Sequence, residues 1–288
     1  MVEMNGPPLR LHVVGRDEPT LALVGALRTT GPAHVTIAGD VADPGLDGVT
    51  VVPPTRPPAD PDIVLIGIDE AATFDTAHVW APAGRDCLTV VAPPGAPDRS
   101  ALAGLGVHRY ALAASALYAP ALGRLLVESD AIARPHRVAV AVALPDATAA
   151  AAVEVHCVAS AIALALTVAT PARPVAVQRR PEGTRAGRIT FDDGTVAEFT
   201  GARGRGSHTE VQVAGADGTA RLELAAGYGL ERNGEPVEIP QADAPRRTGF
   251  VDLAIAMRAA ALGRREPPLR AGSAFAAEIL DILDELGD

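Results

Sequence analysis

At 288 residues the chain is long enough for one large or two ordinary domains, and with 48% apolar residues it is expected to bury a sizeable core. A net charge of −10 argues against nucleic acid or an anionic membrane surface as a general partner. All 25 basic residues are arginine, so no lysine can serve as general acid, Schiff base or phosphate ligand.

The first half alternates between strand and helix signals. Leu9–Val14 reads as a buried strand, Thr20–Arg28 as a helix, and Ala33–Ala38 as a second strand closed by Gly39 and Asp40. Val49–Val52 is a short strand, followed by a proline-rich loop and the apolar run Ile63–Ile68. Leu88–Ala92 and Val107–Leu112 repeat the strand signal around a helix at Arg99–Leu105. Such alternation implies parallel βαβ units in a doubly wound sheet, whose sites lie at the carboxyl ends of the strands. Tyr118–Asp130 then reads as a helix leading out of this domain, and the pattern changes. His136–Leu144 is a strand and Ala149–Val168 a long, nearly all-apolar helix. Glu154 and His156 interrupt its hydrophobicity, so it is not expected to cross a membrane. Five extended segments follow, at Val175–Arg179, Arg188–Phe191, Val196–Ala202, Thr209–Val213 and Ala220–Leu224. The turns FDDGT and GADGT between them carry the Asp-Gly pair that favours hairpins, which points to an antiparallel sheet. Helices at Phe250–Leu262 and Ala271–Leu286 close the chain.

The first strand-to-helix turn is where a dinucleotide would sit. That chemistry wants G-x-G-x-x-G, whose glycines permit a tight turn and let the backbone approach a pyrophosphate at the helix N-terminus. Here the six positions are Gly15, Arg16, Asp17, Glu18, Pro19 and Thr20, so only the first glycine is present. Asp17 and Glu18 add negative charge beside the expected phosphate position, about 1 kcal/mol of repulsion per pair at ~4 Å even with water-like screening. An ordinary turn with an acidic first helical turn accounts for the same residues. Asp40 points the other way: an acidic residue ending the second strand is placed to hold a ribose hydroxyl, although Gly-Asp is also a common strand terminator.

Elsewhere the residues offer little chemistry. Cys87 and Cys157 are too few for a disulfide framework or structural zinc, and no histidine pair has helical metal-ligand spacing, so no metal is expected. Ser115, Ser129, Ser160, Ser207 and Ser273 show no nucleophile-elbow context. The arginine clusters at 179–180 and 203–205 read as solvated sheet edges, or less simply as binders of a carboxylate or phosphate. With no signal peptide or membrane span read from the sequence, a soluble cytoplasmic protein is expected.

Three segments together resemble one family. LYAPALGRLLVESDAIARPHRVAV looks like the linking helix and following strand of the glucose–fructose oxidoreductase and inositol dehydrogenase (Gfo/Idh/MocA) family. FDDGTVAEFTGARG with HTEVQVAGADGTARLEL looks like its sheet hairpins, and GFVDLAIAMRAAALGRREPPLRAGSAFAAEILDIL like its closing helices. The resemblance implies a Rossmann-like doubly wound parallel sheet over 1–116. It also implies an α+β domain with an open, mainly antiparallel sheet over 117–288, including the linking helix 117–130. Members are typically NAD(P)-dependent dehydrogenases of sugars, cyclitols and related alcohols. They use the lysine of a Glu-Lys-Pro motif ending the fifth strand, with an aspartate and a histidine four residues apart on a helix of the second domain. In this chain the fifth strand runs into Ala92, Pro93 and Pro94, with no lysine. His156 matches the family histidine, but Ala152 stands where the aspartate would be.

Hydride transfer from an alcohol needs a positioned group to take the hydroxyl proton, and of the family set only His156 remains. The resulting expectation is a degenerate member that binds no nicotinamide, working on a small molecule or as a homodimer or partner subunit of a relative, in sugar or secondary metabolism. A cofactor-independent isomerase, cyclase or lyase would use His156 as its proton shuttle. The alternative is a divergent NAD(P)-dependent oxidoreductase with Gly15 at the pyrophosphate, Asp40 on the ribose and His156 as acid/base.

Overall fold

The computed structural model describes residues 7–38, 48–52, 61–67, 88–91, 110–133, 135–145, 150–180, 185–225, 227–263 and 272–286. Asp40, Cys87, the residues after the fifth strand and the expected helix at Arg99–Leu105 lie outside them. The chain divides into two compact units. One is Met1–Ala113 with Val251–Ala277, the other Ala114–Phe250 with Glu278–Asp288. The segment Val251–Ala277, read from the sequence as part of the second domain, thus groups with the first unit.

In the first unit, strands β1 (Leu9–Val14), β2 (Ala33–Ala38), β3 (Val49–Val52), β4 (Ile63–Ile66), β5 (Leu88–Val91) and β6 (Tyr110–Leu112) pair in parallel. Their spatial order is β3-β2-β1-β4-β5-β6, which is the dinucleotide-fold order with its reversal between β1 and β4. Continuous apolar runs are what strands covered on both faces require, and β4 is buried at all four positions. Helix α1 (Glu18–Thr29) follows β1 and buries Leu23, Val24, Ala26 and Leu27. It begins two residues before the sequence pattern suggests because Pro19 sits in its first turn, where a missing N–H costs nothing. His12, fully buried on β1, places Nδ1 2.8 Å from the Thr36 hydroxyl. The same hydroxyl lies 3.3 Å from the Leu11 carbonyl, to which it can also donate. Burial pulls the His12 pKa down to about 4.

In the second unit, a 3-10 turn (Ser115–Tyr118) precedes α2 (Pro120–Ala131), β7 (Arg137–Pro145) and α3 (Ala150–Ala169). Strands β8 (Pro174–Arg179), β9 (Arg185–Phe191), β10 (Val196–Gly204), β11 (His208–Gly215), β12 (Gly218–Glu223), β13 (Gly229–Arg232) and β14 (Glu235–Val237) complete an eight-stranded sheet. Its order is β14-β13-β12-β11-β7-β10-β9-β8. All its pairs are antiparallel except β7 with β10. Alternation sorts the faces: Val138, Val140, Ala197, Phe199, Val211, Val213 and Leu222 are buried, while Ala139, Ala141 and Glu198 fall on the other face. Both Asp-Gly turns form as expected, Gly194 and Gly218 taking φ of 85° and 141°. The short helix α4 (Ala244–Arg247) leads into α5 (Phe250–Ala261), and α6 (Ser273–Glu285) ends the chain. In the first unit, Arg258 of α5 is 2% exposed. Its Nη2 donates toward the carbonyls of Leu27, Gly31 and Pro32 at 3.0, 2.9 and 3.0 Å, at the end of α1.

Candidate functional site

The turn from β1 into α1 lies at the topological reversal of the parallel sheet. Gly15 leaves the strand at φ 107°, a conformation glycine adopts without strain. Asp17 is the N-cap of α1 and is 8% exposed. Its Oδ1 accepts from the Thr20 amide at 2.9 Å, its Oδ2 accepts from the Thr20 hydroxyl at 2.8 Å, and its carbonyl accepts from the Leu21 amide at 3.0 Å. Read from the sequence, Asp17 is a charge beside the phosphate position; in the structure it is folded onto the helix's own donors. Glu18 points to solvent.

Gly67, just past β4, completes this unit. Its amide donates to the Val14 carbonyl at 2.7 Å, which ties the ends of β4 and β1 together. A Cβ at Gly67 would run into Asp17 Oδ2, would lie 2.8 Å from Thr20 Oγ1 and 3.3 Å from Gly15 Cα. The crevice between the two strand ends is therefore filled by the Asp17 carboxylate. In the sequence the apolar run extends through Ile68, so Gly67 lies inside the strand signal. The signal that would have found it is a glycine at the carboxyl end of the strand next to the reversal.

In the second unit, α3 carries His156, which is 7% exposed. Glu154 is committed elsewhere: its Oε1 pairs with Arg203 Nε at 2.8 Å and its Oε2 with Arg185 Nε at 3.4 Å. Glu154 is thus held by arginines, and Arg203, read from the sequence as part of a solvated sheet edge, is exposed but ion-paired on a strand that lies between β7 and β9. Arg180 likewise pairs with Glu198 at 2.6 Å, and Arg179 donates to the Leu286 carbonyl at 3.3 Å. The approach of α3 to β10 is set by Gly201, where a Cβ would run into the Val158 amide and lie 2.8 Å from the Cys157 carbonyl carbon. A single glycine within a strand pattern is the sequence signal of such an approach. Burial pushes the Cys157 thiol up to about 11, so it is not a thiolate nucleophile near neutral pH. Among the described residues no cluster of His, Cys, Asp or Glu could hold a metal ion. Cavities of about 240 Å³, over the β7–β11–β12 face, and about 510 Å³, between Thr170–Val177 and α6, do not include His156 among their linings.

Solved structures match this arrangement along nearly its whole length. UDP-N-acetylglucosamine 3-dehydrogenase GnnA from Acidithiobacillus ferrooxidans has a TM-score of 0.70 at 17% identity, covering 98% of this chain and 97% of its own. The chain has the Gfo/Idh/MocA fold. GenD2 from gentamicin A biosynthesis, solved in complex with NAD, gives 0.69 at 20% identity over 96% of this chain and 92% of its own. A biliverdin reductase from Synechocystis, solved with biliverdin and NADP+, gives 0.68 at 12% identity over 97% and 98%. No family model matches the sequence. No curated protein matches it by sequence either. Within this fold the chain has a Rossmann-like parallel sheet and a mainly antiparallel one, as the sequence leads one to expect. No helix among the described residues is long and apolar enough to cross a membrane.

Proposed function

We propose that this Gfo/Idh/MocA-fold protein handles a small molecule without nicotinamide hydride transfer. The observation that carries the reading is the turn after β1. A pyrophosphate there would need backbone donors at the start of α1 and a gap for its oxygens. Pro19 supplies no N–H, the Thr20 amide and hydroxyl are bonded to Asp17, and Asp17 fills the space beside Gly67. These residues do not fit a dinucleotide pyrophosphate. Together with the lack of any lysine and Ala152 at the family aspartate position, they support a cofactor-independent isomerisation, cyclisation or elimination with His156 as proton shuttle. Service as a binding or partner subunit follows from the same losses.

Titration calorimetry with NADH and NADPH tests the reading: no binding is expected at millimolar nucleotide, and micromolar affinity would overturn it. Full turnover retained in His156→Ala would remove the proton-shuttle role. A second reading, a divergent NAD(P)-dependent oxidoreductase, is favoured by GenD2 and the biliverdin reductase having been solved with NAD and NADP+. In that reading Gly15 and Asp40 would hold the nucleotide. Association with a second copy or a relative is also proposed. Its basis is the outer sheet face bearing Ala139 and Ala141; the alanines of α3 at 159, 161, 163 and 165 are consumed in the core of their own unit. Native mass spectrometry showing a strict monomer would remove it.

A further inference from the structure

We infer that Asp17 is a built-in anion that seals the β1–β4 reversal, so that one side chain, rather than any loss of the surrounding fold, closes this position to nucleotides. The inference rests on the non-nicotinamide reading and gives it a single-residue cause.

Three observations converge on it. The carboxylate bonds through both oxygens to Thr20, the residue at the third glycine position, and lies at the positive end of the α1 dipole, where a phosphate would otherwise be stabilised. It is buried, and a Cβ on Gly67 would run into its Oδ2, so the carboxylate reaches from the β1 side toward the β4 side. The strands beneath are undisturbed. β1 and β4 stay in parallel register from Leu11–Ile63 to Val14–Ile66, and the Gly67 amide still bonds to Val14. Among the described residues the β1–β4 pairing is thus in register, and the opening above it is plugged.

A ligand phosphate would have to displace a tethered carboxylate and then sit beside it. Loss of the cap bonds and like-charge repulsion each weaken binding about tenfold, so Asp17 is expected to lower nucleotide affinity by roughly 10- to 100-fold.

The test is calorimetry with NADH and, separately, inorganic pyrophosphate on the full chain, on Asp17→Gly and on Asp17→Asn. Asparagine caps helices as well as aspartate and keeps the fold while removing the charge; glycine also opens the space. Thermal melts confirm that each variant is folded. The expected result is undetectable binding by the unaltered protein, a measurable affinity in Asp17→Asn and a tighter one in Asp17→Gly. If both folded variants stay as inert as the parent, the inference is overturned while the non-nicotinamide reading stands. Micromolar NADH binding by the parent would overturn the inference and the reading together, because the position would then be open to nucleotides.

Discussion

Replacing His12 with leucine should flatten the acid side of the stability profile. His12 is fully buried on β1, and its pKa is depressed from 6.5 to about 4 because the interior cannot solvate the imidazolium. As pH falls, the unfolded chain takes up this proton first, so the stabilisation is complete above pH 6.5 and is lost progressively toward pH 4. At about 1.4 kcal/mol per tenfold change in proton affinity the full loss is about 3 kcal/mol, of which about 2 kcal/mol is gone by about pH 5. Urea unfolding of the parent and of His12→Leu, measured at steps between about pH 7 and pH 4.5, isolates this contribution because the other titrating groups are common to both. The Thr36 hydroxyl keeps the Leu11 carbonyl as a partner in the variant, so its neutral-pH stability remains interpretable. Equal pH dependence in the two proteins would refute the reasoning, since His12 would then titrate alike folded and unfolded.

Gly201→Ala should cost about 1–3 kcal/mol in urea unfolding, because the added methyl meets the backbone of α3 and not a side chain able to turn aside. A cost near zero would mean that α3 can lift from β10 freely. Arg258→Met keeps most of the volume but strands the carbonyls of Leu27, Gly31 and Pro32, with an expected loss of about 2–5 kcal/mol; a loss under about 1 kcal/mol would show that water replaces the guanidinium. In a Cys87→Ala background, Cys157 should resist iodoacetamide in the native protein at about pH 8 and react after unfolding, as burial and a thiol pKa of about 11 require. Native labelling would contradict both.

The parallel sheet was legible because its strands are short apolar runs bounded by glycine and proline. β1, β2 and β3 begin and end where the sequence pattern does. Strands β13 and β14 were not read, since Gly229–Arg232 and Glu235–Val237 hold few apolar residues. Yet Asn233-Gly234 between them is a strong hairpin pair, and both residues take positive φ, 53° and 81°. At the candidate site the sequence revealed which residues are present but not what they bond. Whether Asp17 faces a ligand or turns onto its own helix depends on Thr20 three residues ahead and on Gly67, which only the β1–β4 pairing brings near. The commitment of Arg203 and Arg185 to Glu154 is likewise long-range, joining β10 and β9 to α3, and no local pattern announces it.

The return of the chain at Val251 has a consequence for biosynthesis. The carbonyls that end α1 wait for a guanidinium that lies 226 to 231 positions later in the chain. A nascent chain that has emerged only as far as the sheet of the second unit therefore has a first unit whose α1 end is uncapped, while Ala114–Phe250 already contains its eight strands and α3. Both units thus wait for the last part of the chain, the first for Val251–Ala277 and the second for Glu278–Asp288. The stretch synthesised first is the one that must be sheltered longest, and a ribosome pausing before codon 258 would hold it open to proteolysis or aggregation.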